Sequence, residues 1–426
     1  MHKVKQSLKN ITPFGGLNFI FDAIKRLKLS PFIDAELGSR NIKSKYSYSD
    51  VVLSLFGNVL CNGEYICDLE HFKERFNQQI FSKIPSADTV EYVCQELKTK
   101  TIVATTVDEV VHQINYNTKT NKTLIALSVK TGQLIPQKKY TLDFDNVVLA
   151  NEKQDSKKSY KNINGYHPVF AFIGKLPVHI ENHNGNTPAK YNQKETLERC
   201  FNNLNTKEIK IEHFRADSAS YQKEVIEYLA EKVDYFYIRN INSQNFINQC
   251  GAITTWETVS INNIKKEVAT LLYTPFKGDK QYRIVVTRSS KKTAQIDLLS
   301  GTAYNYYGII TNNLILSNQS VIEFYNLRGD SENSNKILIS DFNVKRLPFM
   351  DMDTNTVYMY LMAMCLIIFE WTKKILVQNG TKKIDITMRV KAICFRYVTV
   401  ATNFIYHAKE KVIQVFSTKE YKFLKI

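Results

Sequence analysis

The sequence predicts an α/β protein with a helical beginning, a mixed β-sheet interrupted by an antiparallel β insertion, and a helical end. Three observations support this fold class. Hydrophobic residues recur at helical spacing up to about residue 100, and strand-like runs begin after it. Strands and helices then alternate from about residue 194, which is typical of βαβ units. Between residues 240 and 315 short alternating runs follow one another directly, as in antiparallel sheets.

The opening part is predicted to be helical. Leu17, Ile20, Ile24 and Leu27 share one helix face, and a second helix is expected after the cap signal Ser47–Asp50. This unit could read DNA through a helix-turn-helix, or it could be a plain packing module. The predicted segments are residues 1–100, a helical domain; 101–240, the first part of the mixed-sheet domain; 241–315, the β insertion; 316–375, the helical remainder of that domain; and 376–426, a basic helical segment.

The middle of the chain carries the predicted sheet. Apolar or alternating runs predict strands, and 3.6-residue spacing predicts helices. The expected strands are Ile125–Val129, Lys139–Asp145, Val169–Gly174, Ile209–Arg215, Tyr235–Arg239, Glu267–Tyr273 and Gln281–Arg288, and the expected helices are 194–203, 221–232 and 324–336.

Several classes of protein are excluded. The seven cysteines are scattered without a C-x-x-C pair, so neither a disulfide framework nor a zinc site is indicated, and a reducing compartment is expected. No secretory signal precedes the domain. The longest apolar run, Val357 to Phe369, is thirteen residues and predicts a buried helix because it is too short to span a bilayer. The expected location is therefore the cytoplasm, without a membrane partner.

The chain is strongly basic, with 57 Lys and Arg against 41 Asp and Glu and a formal charge of +16 over 426 residues. This excess favours a polyanionic partner such as nucleic acid, although a solvated lysine-rich surface would have the same composition. The charge is unevenly distributed. Residues 258–300 carry eight basic and three acidic side chains, and residues 354–426 carry twelve and four.

Acidic side chains stand at the ends of two predicted strands. Asp143 and Asp145 share one face of their strand, and Asp217 follows the tip of a later one, where open α/β sheets hold ligands. A buried carboxylate must be paired or bound to a cation. The alternatives are an edge strand with a solvated acidic face for the first pair, and a helix-cap role for Asp217.

A third acidic position lies on the predicted helix 324–336. At about 100° per residue, Tyr325, Arg328, Glu332 and Lys336 fall on one narrow stripe. Such a stripe could be a solvent-exposed ladder of ion pairs. It could also place one carboxylate at a metal ion, with cations beside it for phosphates.

These positions, in this order, resemble the catalytic domain of bacterial insertion-sequence transposases of the DDE type, which has a ribonuclease-H-like fold. The resemblance covers most of the chain, and its most specific motif is Tyr325-x-x-Arg328-Gly-x-x-Glu332-Asn333, which is typical of the cut-and-paste branch with a β insertion. Two positions depart from that family. Val147 replaces a small hydroxyl residue, and Ile339 stands where the family has lysine, so Lys336 is the substitute. The other similar landmarks are Gly15-Gly16-Leu17, Leu142-Asp-Phe-Asp145, Gly165-Tyr-His-Pro168, Phe214-Arg-Ala-Asp-Ser218, Ile310-Thr-Asn312 and Asp341-Phe-x-x-x-Arg346-Leu-Pro348.

The resemblance implies Mg²⁺-dependent cleavage and transfer of DNA strands at terminal inverted repeats. Asp145, Asp217 and Glu332 would bind two Mg²⁺ ions, with Mn²⁺ as a substitute and Asp143 as the alternative first carboxylate. The implied partners are double-stranded DNA of the element ends and target, with a dimer forming on DNA, and the implied location is the bacterial nucleoid. Residues 1–100 would be a DNA-binding domain. The predicted DNA contacts are Tyr325, Arg328, Lys336, Trp256, Arg283 and Arg288.

Some alternatives remain open at this stage. The chain could be a ribonuclease-H-like nuclease without strand transfer, or an inactive descendant that only binds DNA. Trp256 could stack on an unpaired base, or it could pack the core of the insertion. His167, after a Gly-Tyr turn and before Pro168, is expected to form a structural hydrogen bond.

Overall fold

The computed structural model describes residues 11–76, 83–277, 280–290, 304–407 and 410–417; residues 291–303, part of the predicted basic insertion, lie outside these ranges. The helices of the described part are α1 (Gly16–Arg26), α2 (Leu29–Leu37), α3 (Tyr48–Leu60), α4 (Asp68–Arg75), α5 (Ala87–Leu97), α6 (Thr118–Lys130), α7 (Gln193–Asn205), α8 (Lys223–Lys232), α9 (Gln244–Gly251), α10 (Asn318–Asn326), α11 (Gly329–Lys336), α12 (Met352–Gln378) and α13 (Val390–Ile393). The strands are β1 (Ile11–Thr12), β2 (Ile102–Thr105), β3 (Val111–Asn115), β4 (Lys139–Asn146), β5 (Leu149–Ala150), β6 (Lys157–Lys158), β7 (Asn164–Tyr166), β8 (Val169–Ile173), β9 (Leu176–His183), β10 (Lys210–Ala216), β11 (Tyr235–Arg239), β12 (Glu257–Ile261), β13 (Ile264–Tyr273), β14 (Tyr282–Ser290), β15 (Tyr304–Thr311), β16 (Ala401–His407) and β17 (Glu410–Phe416).

A mixed sheet of eleven strands forms the centre of the described structure, in the order β12-β13-β14-β15-β11-β10-β4-β8-β9-β3-β2. Strand β4 pairs in parallel with β10 and antiparallel with β8, and β10 pairs in parallel with β11. Strands β12 to β15 are antiparallel and continue the sheet from β11. The predicted mixed α/β class is therefore confirmed.

Helix α12 lies at the centre of the molecule. The predicted buried helix Val357–Phe369 is confirmed, because every residue of that run is buried within α12. Asp351 caps the helix by accepting a 2.9 Å hydrogen bond from the backbone N–H of Thr354. Within the described ranges, no helix combines the length and apolar character needed to cross a bilayer.

The N-terminal helices begin where local capping chemistry places them. Helix α3 starts at the predicted signal: the Ser47 hydroxyl accepts from the backbone N–H of Asp50, and the Asp50 carboxylate accepts from that of Ser47. Apolar side chains of α1 to α5 belong to the same hydrophobic cluster as α12. The helical part thus packs directly on the core helix of the sheet domain.

The predicted strand Ile125–Val129 is wrong, because these residues belong to helix α6. Asn117 caps the helix by accepting from the backbone N–H of Thr120. The apolar run is buried under α12 and β9, so its residues lack the exposed polar face that makes helical spacing visible. A short apolar run is equally compatible with a buried strand or a buried helix.

The prediction of a helical C-terminal segment is wrong for residues 401–407 and 410–416, which form strands. Helix α13 is followed by the hairpin β16–β17, and β16 pairs with β1 near the start of the chain. Asn403 and Thr402 of β16 lie opposite Ile11 and Thr12. This pairing ties the two ends of the described chain into one small sheet.

We expect Gly15→Ala to lower the free energy of unfolding by roughly 1–3 kcal/mol, the usual range for overpacking. A Cβ at Gly15 would lie 2.1 Å from the Thr402 side chain and 2.6 Å from the Val400 carbonyl oxygen. The backbone oxygen cannot move without disturbing the β1–β16 pairing. Urea unfolding would measure the change, with Gly251→Ala as the control because nothing lies near its Cβ position. Equal stability of both variants would contradict this close approach.

A buried ion cluster joins β9 to α7. The Glu181 carboxylate is fully buried and accepts hydrogen bonds of 2.8 and 2.9 Å from Arg199, 2.8 Å from the Thr196 hydroxyl and 2.9 Å from His183 Nε2. Burial alone would raise the pKa of Glu181. The imidazoles of His179 and His183 and the charge of Arg199 outweigh burial and hold this pKa well below its usual range.

We expect the stability that Glu181 contributes to be lost on acidification. Because its folded-state pKa is depressed, the contribution is complete above pH 4.5, its ordinary value. It falls by up to roughly 1.4 kcal/mol per pH unit as the pH drops towards the folded pKa. The stability advantage of the wild type over Glu181→Gln, measured by urea unfolding from pH 7 to 3.5, should therefore shrink only below about pH 4.5. A constant advantage over that range would disprove the depressed pKa.

Candidate active site

Two predicted acidic residues, Asp145 and Asp217, lie at the same end of two neighbouring strands inside the central sheet. Phe144 of β4 pairs with Ala216 of β10, so Asp145 and Asp217 follow side by side where these parallel strands end. Asp217 also accepts a 2.9 Å hydrogen bond from the backbone N–H of Ala219, which is the capping role that the sequence left open. Capping uses one carboxylate oxygen of Asp217.

Asp145 is enclosed by groups from α11. The Asn335 amide donates a 3.1 Å hydrogen bond to Asp145 Oδ2, and Arg328 Nη1 lies 3.6 Å from Oδ1. Burial raises the pKa of Asp145 to about 6; Arg328 opposes this rise, and the negative charges of Asp217 and Glu332 add to it. The negative charges of Asp217 and Glu332 thus both act on Asp145, and the guanidinium of Arg328 opposes them.

Asp143 has a different environment. Arg215 holds it through two parallel hydrogen bonds of 2.7 and 2.8 Å, and both side chains are buried. Arg215 Nη1 also donates to the carbonyl oxygen of Phe324 at 2.8 Å. The interpretation of β4 as an edge strand with a solvated acidic face is therefore wrong, since β4 lies between β10 and β8 and Asp143 is fully paired.

The predicted continuous helix 324–336 is divided into α10 and α11. Tyr325 ends up buried, where its hydroxyl donates a 3.2 Å hydrogen bond to the Ala216 carbonyl, so it does not share an exposed stripe with the charged residues. Arg328 and Glu332 do form the predicted i,i+4 pair, at 2.8 Å. Lys336 is exposed at the end of α11, and the neighbouring Asn335 is the residue that contacts Asp145.

Two site residues were missed from the sequence, although each had a signal. Asn335 is seven residues after Arg328, which places both on one helix face at about 100° per residue. Arg215 precedes Asp217 by two residues on a strand, so it shares the face of Asp217 and stands opposite Asp143. A pairing of the two strands in this register would have indicated the ion pair.

Arg283 and Arg288 of the insertion, which the sequence predicts to contact DNA, form hydrogen bonds with other groups of the same chain. Arg283 is buried and donates to the carbonyl oxygens of Asn313 and Leu316, so its guanidinium is hydrogen-bonded within the protein. Arg288 forms two hydrogen bonds of 2.8 and 2.9 Å with Glu267. Its guanidinium also lies 4.3 Å from the centre of the Trp256 ring.

The structure fits the interpretation that Trp256 packs within the protein. Its indole N–H donates to the Ile253 carbonyl at 3.0 Å, and its ring stacks near Tyr306 with 6.1 Å between ring centres. The side chain packs against the hydrophobic core. The predicted structural hydrogen bond of His167 is confirmed: its Nδ1 lies 2.9 Å from the Thr187 carbonyl oxygen, and burial lowers its pKa.

The acidic residues do not form a closed metal cage in this state. Across the described ranges, no three His, Cys, Asp or Glu side chains are gathered in a group that could hold a metal ion. Glu332 faces Arg328, which lies between it and Asp145. A cationic side chain thus connects the two carboxylates.

Comparison with known proteins gives one family match. A family model described as transposase DDE domain, group 1, matches residues 9–422. No curated protein matches the sequence. Among solved structures, the chain is similar to the piggyBac transposase in the cryo-EM structure of its synaptic complex with hairpin DNA, at 11% identity and a TM-score of 0.42 over 91% of this chain and 80% of that one.

Proposed function

The chain belongs to the transposase DDE domain family, group 1, and we propose that it cleaves DNA at the terminal inverted repeats of its own element and joins the freed ends to a target. The observation that carries this proposal is the meeting of Asp145 and Asp217 at adjacent strand ends, with Arg328 and Glu332 beside them. The substrate is double-stranded DNA, and two copies of the chain would hold the paired ends.

A ribonuclease-H-like core is part of this proposal. Five neighbouring strands of the sheet run in the order β9, β8, β4, β10 and β11. Strand β8 is antiparallel to both β9 and β4, whereas β10 is parallel to both β4 and β11. This order supports the assignment because it places the ends of β4 and β10 together. The antiparallel strands β12 to β15 then extend the sheet beyond β11, on the side away from β8.

The donor chemistry of the site fits divalent metal ions. Asp145, Asp217 and Glu332 offer only carboxylate oxygens, which Mg²⁺ prefers. Burial raises the pKa of Asp145, Arg328 opposes this rise, and the charges of Asp217 and Glu332 add to it. These three side chains would hold two Mg²⁺ ions, or Mn²⁺ in their place. When bound, the ions would supply charge neutralisation at the phosphate and an activated attacking oxygen.

The other residues of the site would bind and orient. Arg328 is the only guanidinium contacting Asp145 in the described structure, and it is suited to clamp a phosphate beside the cut bond. Asn335 restrains the Asp145 carboxylate. The Tyr325 hydroxyl fixes α10 to the last residue of β10, directly before Asp217. Arg215 ties β4, β10 and α10 together through Asp143 and the Phe324 carbonyl.

The hydrogen bonds of the two β4 aspartates favour Asp145 over Asp143 as the first metal ligand. Both oxygens of Asp143 are held by Arg215, and removing them would leave a buried arginine unpaired. By contrast, the charges of Asp217 and Glu332 act on Asp145, whose pKa they raise.

The test is a cleavage and joining assay on labelled duplex that carries the flanking terminal repeat, with Mg²⁺ or Mn²⁺. Asp217→Asn and Glu332→Gln should abolish both cleaved and joined products while duplex binding persists. Glu323→Gln, an exposed carboxylate on α10, is the matched control and should retain activity. Cleavage without joining would favour a nuclease, and wild-type binding without cleavage would indicate an inactive DNA-binding descendant.

A further inference from the structure

A compact basic turn lies in the small sheet β5-β7-β6, which the chain forms between β4 and β8. It comprises residues 157–161, Lys157-Lys158-Ser159-Tyr160-Lys161, which form strand β6 and the first part of the link to β7. Tyr160 is 72% exposed, and the three lysines are exposed as well. Within the described part of the chain, no carboxylate lies within ion-pair distance of these lysines. The three lysines thus have no carboxylate partner, and most of the Tyr160 ring is open to solvent although Lys161 Nζ lies 5.5 Å from its centre.

The basic turn is held in one shape by its own hydrogen bonds. The Ser159 N–H donates to the Ile163 carbonyl at 2.9 Å, and the Asn162 N–H donates to the Ser159 carbonyl at 2.9 Å. Asn162 adopts a left-handed conformation with φ of 58°, which asparagine tolerates better than most residues. At its base, the Lys157 N–H donates to Asn184 Oδ1 at 2.8 Å. A ligand would bind this turn without first having to order it.

The location of the basic turn links it to the active site. The Tyr160 ring lies 5.8 Å from the ring of His167, which precedes β8. Phe170 of β8 pairs with Asp145, so His167 lies three residues, or roughly 10 Å, from that position at about 3.3 Å per residue. Adding the 5.8 Å between the two rings gives a path of roughly 16 Å, so a DNA strand with its phosphate at Asp145 would reach Tyr160 within about five nucleotides, at roughly 3.4 Å each.

We propose that the basic turn binds the single-stranded flank of DNA next to the cleavage site, with Tyr160 stacking on an unpaired base and the lysines contacting its phosphates. This inference rests on the proposed function. A single strand fits better than a duplex because the face of a base is accessible to a tyrosine only when that base is unstacked. The lysines supply the sequence-independent part of the attraction.

Binding measured without divalent cations separates this proposal from the proposed cleavage. Fluorescence anisotropy of a labelled 12-nucleotide thymidine strand in EDTA should give at least about 5-fold weaker binding for Tyr160→Ala. Tyr160→Phe keeps the ring and should stay within about 2-fold of the wild type, since stacking needs only the π face. Tyr92→Ala is the matched control, because Tyr92 is 66% exposed on α5. Equal affinity of Tyr160→Ala and wild type would overturn the stacking role.

The lysines are tested by the salt dependence of the same binding. Lys157→Gln, Lys158→Gln and Lys161→Gln together should reduce the slope of log affinity against log salt by about 2, at roughly 0.7 per phosphate contact on a single strand. The triple variant Lys138→Gln, Lys210→Gln and Lys232→Gln is the control and should leave the slope unchanged. These lysines are exposed near the starting ends of β4, β10 and β11, opposite the end that carries Asp145. An unchanged slope for the first triple variant would overturn the phosphate contacts.

A blunt duplex of mixed sequence is the second probe. If Tyr160→Ala weakens duplex and single strand equally, the assignment to an unpaired base is wrong. If the protein binds single strands as expected but never cleaves DNA, the proposed function fails while the binding role of the basic turn stands. Unchanged melting temperatures of all variants would exclude loss of folding as the cause.

Discussion

Asp145→Asn is expected to lower the rate of DNA cleavage by on the order of 10³-fold or more, the scale seen when an essential catalytic group is removed. The amide keeps the shape of the side chain but removes the negative charge shared by the proposed metal sites. Its contact with Asn335 can persist, so the fold should be retained. Single-turnover cleavage of end-labelled duplex at saturating protein would measure the rate directly.

Asp143→Asn is the comparison that gives this result meaning. Asp143 shares the strand face with Asp145 but is buried against Arg215, so its loss should reduce stability more than the cleavage rate of the folded molecules. The rate should be normalised to the folded fraction. If Asp143→Asn abolished cleavage in fully folded protein while Asp145→Asn cleaved normally, the assignment of the first carboxylate would be reversed.

Arg215→Leu is expected to lower the free energy of unfolding by roughly 3–5 kcal/mol, the cost of leaving a buried carboxylate without its partner. Asp143 would lose two hydrogen bonds in a site from which water is largely excluded, and the Phe324 carbonyl would lose a third. Urea unfolding at pH 7 would measure the change. DNA cleavage should also fall, because this arginine joins both carboxylate-bearing strands to α10.

The double variant Asp143→Leu with Arg215→Leu distinguishes an uncompensated charge from a simple loss of packing. Removing both charges of a buried pair is often close to neutral, whereas removing one is not. The double variant should therefore be more stable than Arg215→Leu alone. If it were less stable, by the sum of the two single losses, the charge pair would not be the cause.

Much of the central sheet could be predicted because its signals are local. The strands β4, β8, β10 and β11 each carry an apolar or alternating run, and α12 carries a long apolar one. Local signals failed where two structures share a pattern. The run in α6 is buried, so it offers no polar face to distinguish helix from strand. The hairpin β16–β17 is stabilised in part by β1, almost 400 residues earlier.

The candidate site shows the same division. Asp145, Asp217, Arg328 and Glu332 could be proposed from the sequence because they belong to short motifs at strand ends and on a helix face. Which of the two β4 aspartates is free could not be predicted, since that depends on Arg215, 72 positions away. Arg283 shows a related limit of local spacing: its charge suggests a contact with DNA, but its partners in the fold are carbonyl groups 30 and 33 residues later.

Periodicity, strand-end carboxylates and the Tyr-Arg-Glu motif were enough to identify the α/β class and the transposase family from the amino acids alone, because each is a pattern within one or two neighbouring elements. Which of several similar side chains are paired and which stay exposed was decided only by the tertiary structure. Asp145 meets Asn335 across 190 positions, and such contacts decide which carboxylates are paired, which cations are already paired, and which, like the lysines of the basic turn, remain exposed. Burial and long-range pairing set these outcomes, and neither is encoded in local spacing.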